Sequence, residues 1–310
     1  MSDEVLVIDN VSKRFGHFQA LDRISLTINN GDIYGLIGEN GAGKTTLMRL
    51  ITGLSFLKQG QIMLLGEAAG HYQQALRRTG AIIENPVAFP NLTVTQNLKL
   101  CAIQHGISEP HLIAETLGFV GLSAKQGTKA KQLSLGQRQR LGLALAILPR
   151  PDFLILDEPI NGLDPSGIIE FRQLIKQLNE ERHTTILISS HILSELYQVS
   201  SRFGFIHQGR LIKELTKGEL DLANQAGLAL TVDHVTAASQ VLDEAAVGEL
   251  AIMDEHHLII HHSQLSAAAI NQLLIQKGVA VSELVRREGS LEQYYMNLVS
   301  GEEQRHVQSN

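Results

Sequence analysis

The chain has almost no cysteine, no long apolar run and no excess of positive charge. Its single cysteine, Cys101, cannot form an internal disulfide. Set among Leu98, Leu100 and Ile103, it reads as a small buried apolar residue, not a catalytic thiol. The longest apolar stretch, Leu141 to Leu148, contains Gly142, stops at Pro149 and falls well short of the roughly 20 residues that span a bilayer, so no membrane-crossing segment is expected. The amino terminus, Met1-Ser2-Asp3-Glu4, is acidic and lacks the basic and apolar regions of a signal peptide, which predicts a cytoplasmic protein. A net charge of -6 argues against nucleic-acid partners, whose capture needs clustered Lys and Arg. Internal repeats and low-complexity tracts are missing as well.

What is present suits a folded chain of 310 residues with 44% hydrophobic and 19% charged residues, enough for a larger domain and a smaller appended one. Short β-like runs at Val5 to Asp9, Ile24 to Ile28 and Ile33 to Ile37 open the chain. A helical pattern from Thr45 to Thr52 ends at Gly53, and apolar runs follow at Gln61 to Leu65 and Ala81 to Glu84. Thr93 with Gln96, and Ser134 with Gln137, read as capping boxes that open helices, so the stretch from about 90 to 150 is expected to be helical. Continuous apolar runs at Phe153 to Leu156 and Thr184 to Ser189, with a helix from Ser166 to about Asn179 between them, predict a parallel sheet buried on both faces. Composition shifts near Leu220. Beyond it the order strand, helix, strand, strand, helix, strand, closed by a helix from Ser290, is the ferredoxin-like pattern. The expected domains are therefore residues 1–220 and 221–310.

Gly38-Glu39-Asn40-Gly41-Ala42-Gly43-Lys44-Thr45 fits G-x-x-x-x-G-K-[ST] and lies between a strand and a helix, with Thr46 next on that helix. Backbone N–H groups aimed at one point, and the partial positive charge of a helix amino terminus, make such a loop a phosphate cradle. Lys44 is placed to reach the β and γ phosphates of a nucleotide, and the Thr45 hydroxyl to ligate Mg²⁺. Phe153 to Leu156 runs into Asp157 and Glu158, and in an open parallel sheet ligands gather at the carboxyl ends of strands. Asp157 is suited to hold Mg²⁺ through its water shell, and Glu158 to orient or deprotonate the attacking water.

Leu133-Ser134-Leu135-Gly136-Gln137-Arg138-Gln139-Arg140 resembles the signature sequence of the ATP-binding-cassette family. The resemblance covers about Val5 to Leu220 and implies an α/β phosphate-loop ATPase cassette with a helical subdomain, here followed by a small α+β domain of ferredoxin-like type. It implies ATP and Mg²⁺ as ligands, a second copy of the chain as partner, and Ser134, Gly136 and Gln137 acting on the ATP held by that copy. Asn161-Gly162-Leu163-Asp164-Pro165 resembles the family's D-loop, with Asp164 at the dimer seam. His191 matches the switch histidine that contacts the γ-phosphate, and Phe15, in Lys13-Arg14-Phe15-Gly16, the aromatic that stacks on adenine.

One departure narrows the resemblance. Most of the family carries Gln at the end of the Ala81 to Glu84 strand; this chain has Glu84, followed by Asn85-Pro86. A Glu there resembles the subgroup that exports bacitracin and lantibiotic peptides, and adds a third carboxylate near the metal. The resemblance thus implies an ATPase that drives separately encoded membrane subunits from the inner face of the membrane. A non-transport cassette acting in translation or DNA maintenance is the competing reading, although such proteins usually carry paired cassettes or a long coiled coil. The histidines His256, His257, His261 and His262 read as surface residues, since neighbours on a hairpin point to opposite faces.

Overall fold

The computed structural model describes residues 3–308 apart from 69, 85–87, 224–226, 262, 264 and 288–290. Its internal contacts separate Met1–Glu214 from Leu215–Asn310. Asn85, Pro86, His262 and Ser290, named above, lie outside the described residues.

In the first unit β1 (Glu4–Phe15) and β2 (Phe18–Asn29) pair antiparallel across the Gly16-His17 turn. They run further than their apolar cores suggest, because charged residues continue the ladder on its exposed side. Next come β3 (Ile33–Ile37), α1 (Lys44–Ile51), and β4 (Gln59–Leu64), which completes a three-stranded sheet in the order β2-β1-β4. The chain continues through α2 (Tyr72–Arg77), β5 (Thr79–Ile82), α3 (Val94–Gln104), α4 (Pro110–Phe119), α5 (Leu135–Ile147), β6 (Phe153–Leu156), α6 (Pro165–Arg182), β7 (Thr185–Ser190), α7 (Leu193–Tyr197), β8 (Arg202–His207) and β9 (Arg210–Thr216). Both predicted capping boxes form, at Thr93 with Gln96 and at Ser134 with Gln137. The β8–β9 hairpin has no clear signal in the sequence, since β9 mixes charged and apolar residues and is only partly buried.

The second sheet has the order β5-β6-β7-β3-β8-β9, with β5, β6, β7, β3 and β8 paired parallel. Every residue of β3, β6 and β7 is buried, which is why these strands read as unbroken apolar runs. A continuous core containing Leu6, Ile24, Leu36, Leu47, Phe153 and Leu187 joins the two sheets to α1. Each such buried side chain contributes about 1.5–3 kcal/mol. The parallel arrangement brings the carboxyl ends of β3, β5, β6 and β7 to one edge, where the phosphate loop, Glu84, Asp157, Glu158 and His191 follow.

One side chain crosses three strands of this sheet. Tyr34 on β3 reaches over Gly204 on β8 and donates a hydrogen bond of 2.7 Å to Glu214 on β9. A Cβ on Gly204 would collide with the Tyr34 hydroxyl. Burial first, and then the Glu214 carboxylate, push the Tyr34 hydroxyl well above its ordinary range, so it stays a donor.

The second unit opens with α8 (Lys217–Ala223) and continues with β10 (Gly227–Val232), α9 (Val235–Glu244), β11 (Glu249–Ile252), β12 (His257–His261), α10 (Ala267–Gln276), β13 (Val281–Arg287) and α11 (Leu291–Gln308). The four strands form an antiparallel sheet in the order β11-β12-β10-β13, the ferredoxin-like arrangement expected from the sequence. Leu230, Val232, Leu242, Leu258, Ile260 and Leu274 form its core. One expectation fails here. His261 is 2% exposed and not a surface residue, because Ile259 and His261, on the face opposite Leu258 and Ile260, are covered too. His257 is exposed and pairs with Asp254 at 2.8 Å.

Candidate functional site

The loop between β3 and α1 owes its shape to residues that lack a Cβ. At Gly43, the residue before α1, φ is 113° and a Cβ would come within 2.8 Å of Leu21 and 2.9 Å of the Ala20 carbonyl. At Gly38 a Cβ would run into the carbonyl of Ile206. Any side chain at either position would displace the loop from the sheet. Gly43 offers no side chain to cap α1, so the first N–H groups of that helix are left for an anion. Lys44 is 4% exposed, and its Nζ lies 2.6 Å from Gly38 O, 3.0 Å from Glu39 O and 3.1 Å from Glu158 Oε1. Glu39, Asn40 and Gly41 are exposed, Ala42 is buried, and Thr46 is half-buried on the first turn of α1.

The two acids after β6 face different partners. Asp157, 2% exposed, accepts from Thr45 Oγ1 at 2.7 Å through one oxygen and from Ser189 Oγ at 2.7 Å through the other. Glu158 has φ of 46°, a left-handed backbone uncommon outside glycine, and its N–H donates to the same Ser189 Oγ at 2.9 Å. Its carboxylate lies between Lys44 Nζ and His191 Nδ1, the latter 2.7 Å away. Ser189 thus fixes both acids, and the sequence reading missed it. Its signal is slight: a hydroxyl at the end of an apolar strand, two residues before His191.

Thr45 and Asp157 offer hard oxygen donors beside a buried ammonium and a helix amino terminus, a donor set that fits a Mg²⁺-bound polyphosphate. Glu84 is not brought to this pair. It has φ of 63°, is 54% exposed along its side chain, and its Oε1 stands 2.6 Å from Arg49 Nη2. Among the described residues no three of His, Cys, Asp and Glu converge on a point.

Phe15 ends β1 and is 52% exposed, as a ring offered to a ligand must be. Ser134 and Gln137 bond each other through the capping box at the exposed start of α5. Asp164 caps α6, accepting from Gly167 N at 3.1 Å and from Ser166 Oγ at 3.0 Å. Gly136 lies against Leu163, and Gly162 against Leu135, so the signature and D-loop segments of one chain pack on each other. Arg140 extends this tie by pairing with Glu170 of α6 and donating to Val120 O at 3.2 Å.

An anion cradle, a buried ammonium and two acids thus lie side by side, in a chain that is similar to known proteins. The ABC transporter family pattern matches residues 21–161. Nearly end to end, the chain is similar to the bacitracin transport ATP-binding protein BcrA of Bacillus licheniformis: 36% identity over 96% of this chain and 98% of that protein. It is 41% identical to the lantibiotic transport ATP-binding protein SrtF of Streptococcus pyogenes, over 68% of this chain and 90% of that one. A solved ATP-binding subunit of an ABC transporter superposes with a TM-score of 0.63 at 28% identity, covering 70% of this chain and 92% of the other. No helix among the described residues is long and apolar enough to cross a membrane. The chain therefore belongs to the ATP-binding proteins of ABC transporters and is an ATPase.

Proposed function

We propose that this chain is the ATP-hydrolysing motor of an exporter for antimicrobial peptides of the bacitracin and lantibiotic kind. The observation that carries the reading is the similarity to a bacitracin transport ATP-binding protein over 96% of the chain, which takes in the second unit as well as the cassette. Glu84, in the place where most of the family has Gln, supports the same subgroup.

In this reading residues 1–220 are the ATPase domain and 221–310 an accessory domain. Phe15 stacks on adenine. The loop from Gly38 through Glu39, Asn40, Gly41, Ala42 and Gly43 to Lys44, Thr45 and Thr46 wraps the phosphates, with Lys44 exchanging its contact to Glu158 for phosphate oxygens. Thr45 and Asp157 would hold Mg²⁺, which would offset the phosphate charge, while Glu84, two residues beyond β5 and turned to Arg49, stands outside that donor set. Glu158 polarises the attacking water while His191 holds its carboxylate. Ser134, Gly136, Gln137 and Asp164 act on the ATP bound by a second copy, so two chains enclose two nucleotides. Separately encoded membrane subunits anchor the pair at the inner face of the membrane and carry the cargo.

The experiment is to purify the tagged full chain from membranes of its native host and, in parallel, to delete its gene. A stoichiometric multi-span membrane protein, with raised sensitivity to bacitracin or a lantibiotic on deletion, is expected. A membrane partner without any change in sensitivity would remove the cargo, and ribosomes or DNA in its place would remove the transport role.

A further inference from the structure

A buried lysine next to the base-stacking ring has no place in the scheme above. Lys13 is 8% exposed although it carries a charge. It precedes Phe15 by two residues on β1, next to an irregularity in the pairing with β2 between Lys13 and Arg14. Its ammonium donates to the carbonyl of Phe56 at 2.7 Å and lies 5.3 Å from the centroid of the Phe15 ring. No carboxylate pairs with it among the described residues. An ammonium taken out of water against one carbonyl and one aromatic face is costly to bury unless that placement serves something. The ring it touches is half exposed.

We propose that Lys13 is a positioning residue for the nucleotide base, holding Phe15 from one face so that the rest of the ring is presented to the purine. The inference rests on the reading of Phe15 as the adenine-stacking residue. Two effects follow from a cation over one face. The attraction of the ring quadrupole for the ammonium fixes the ring where rotation would otherwise cost stacking order. The same charge draws electron density from the ring, and an electron-poorer ring stacks better on an electron-rich purine. The bond to Phe56 O keeps the ammonium from swinging into solvent, so the loop after α1 takes part in setting the ring.

The test is calorimetric binding of ATP, and separately of inorganic tripolyphosphate, which lacks a base, to the full chain with Mg²⁺. Lys13→Met, Lys13→Arg and Phe15→Ala are compared with the unaltered protein. Lys13→Met is expected to weaken ATP binding roughly three- to thirty-fold, the span of a cation–π contact between exposed and desolvated settings. Tripolyphosphate binding should stay as it was, and Lys13→Arg should recover most of the ATP affinity. Equal weakening of both ligands by Lys13→Met, or loss of both, would mean that Lys13 merely holds the fold and would overturn the proposal. Unchanged ATP affinity in Lys13→Met, with Phe15→Ala weakened, would overturn it while leaving Phe15 as the stacking residue. Unchanged ATP affinity in Phe15→Ala would remove the adenine reading and this inference with it.

Discussion

Arg49 and Glu84 face each other across 2.6 Å, joining the helix that begins with Lys44 and Thr45 to the segment that follows β5. Arg49 stands one helical turn beyond Thr45, so the face of α1 that meets Asp157 also meets Glu84. The pair is partly exposed and adds little stability, about 0–1 kcal/mol. Its value is as a link. Glu84→Ala should therefore lower transport, by the roughly 0.5–2 kcal/mol typical of residues that modulate coupling, more than it lowers hydrolysis by the isolated chain. Transport into vesicles against turnover in solution is the comparison, and equal losses in both would remove the coupling role.

Glu158→Gln keeps the shape of the side chain and removes its ability to take a proton. Turnover should fall about 10²- to 10⁴-fold, the usual share of a general base. ATP should then hold two chains together, visible as a dimer by light scattering. A variant that stays monomeric with ATP while hydrolysing normally would contradict the role given to Glu158.

Lys44→Ala removes the buried cation from the phosphate cradle. Loss of a charge-assisted contact of about 1.5–3 kcal/mol should weaken ATP binding by one to two orders of magnitude or more. Fluorescent-nucleotide titration reads this directly, and unaltered affinity would defeat the assignment of the loop.

Ser189→Ala takes away a hydroxyl that donates to Asp157 and accepts from the Glu158 N–H. Both groups are left short of a partner, so unfolding free energy should drop by about 1–3 kcal/mol. Turnover should drop as well, because the two acids lose their common support. A variant with the stability loss but full turnover would show that Ser189 serves the fold alone.

Burial pushes the Cys101 thiol up from its ordinary range. Less thiolate is present at a given pH in the folded chain than in the unfolded one, so an aromatic disulfide reagent at mildly alkaline pH should react slowly with native protein. Denaturant should restore the rate of an unhindered thiol. Rapid reaction before unfolding would contradict the packing of α3 against the Leu145 carbonyl, to which the thiol donates at 3.5 Å.

The parts of this molecule legible in its sequence are those where local chemistry and fold agree. The phosphate loop, the apolar run into Asp157 and Glu158, and the two capping boxes each carry their own signal within eight residues or fewer. The ferredoxin-like order of the second unit was legible from alternating periodicities. What could not be read is what only tertiary structure brings together. Ser189 meets Asp157 through parallel register between β6 and β7, Arg49 meets Glu84 across 35 residues of sequence, and Lys13 meets the Phe56 carbonyl across 43. His261 was misread for the same reason, since alternation along β12 says which way it points but not what lies over it.

The Tyr34 side chain, described above as crossing β8 to reach Glu214, has a mechanical meaning. Glu214 sits on the outermost strand of its sheet, immediately before the chain passes into the second unit at Leu215. An edge strand has a neighbour on one side only, and a load along the chain would peel it away one ladder bond at a time. A phenol anchored in β3, one of the two central strands, acts as a rivet through that lamina. Through it the edge strand that leads toward the second unit is tied to β3, the strand that leads into the phosphate loop.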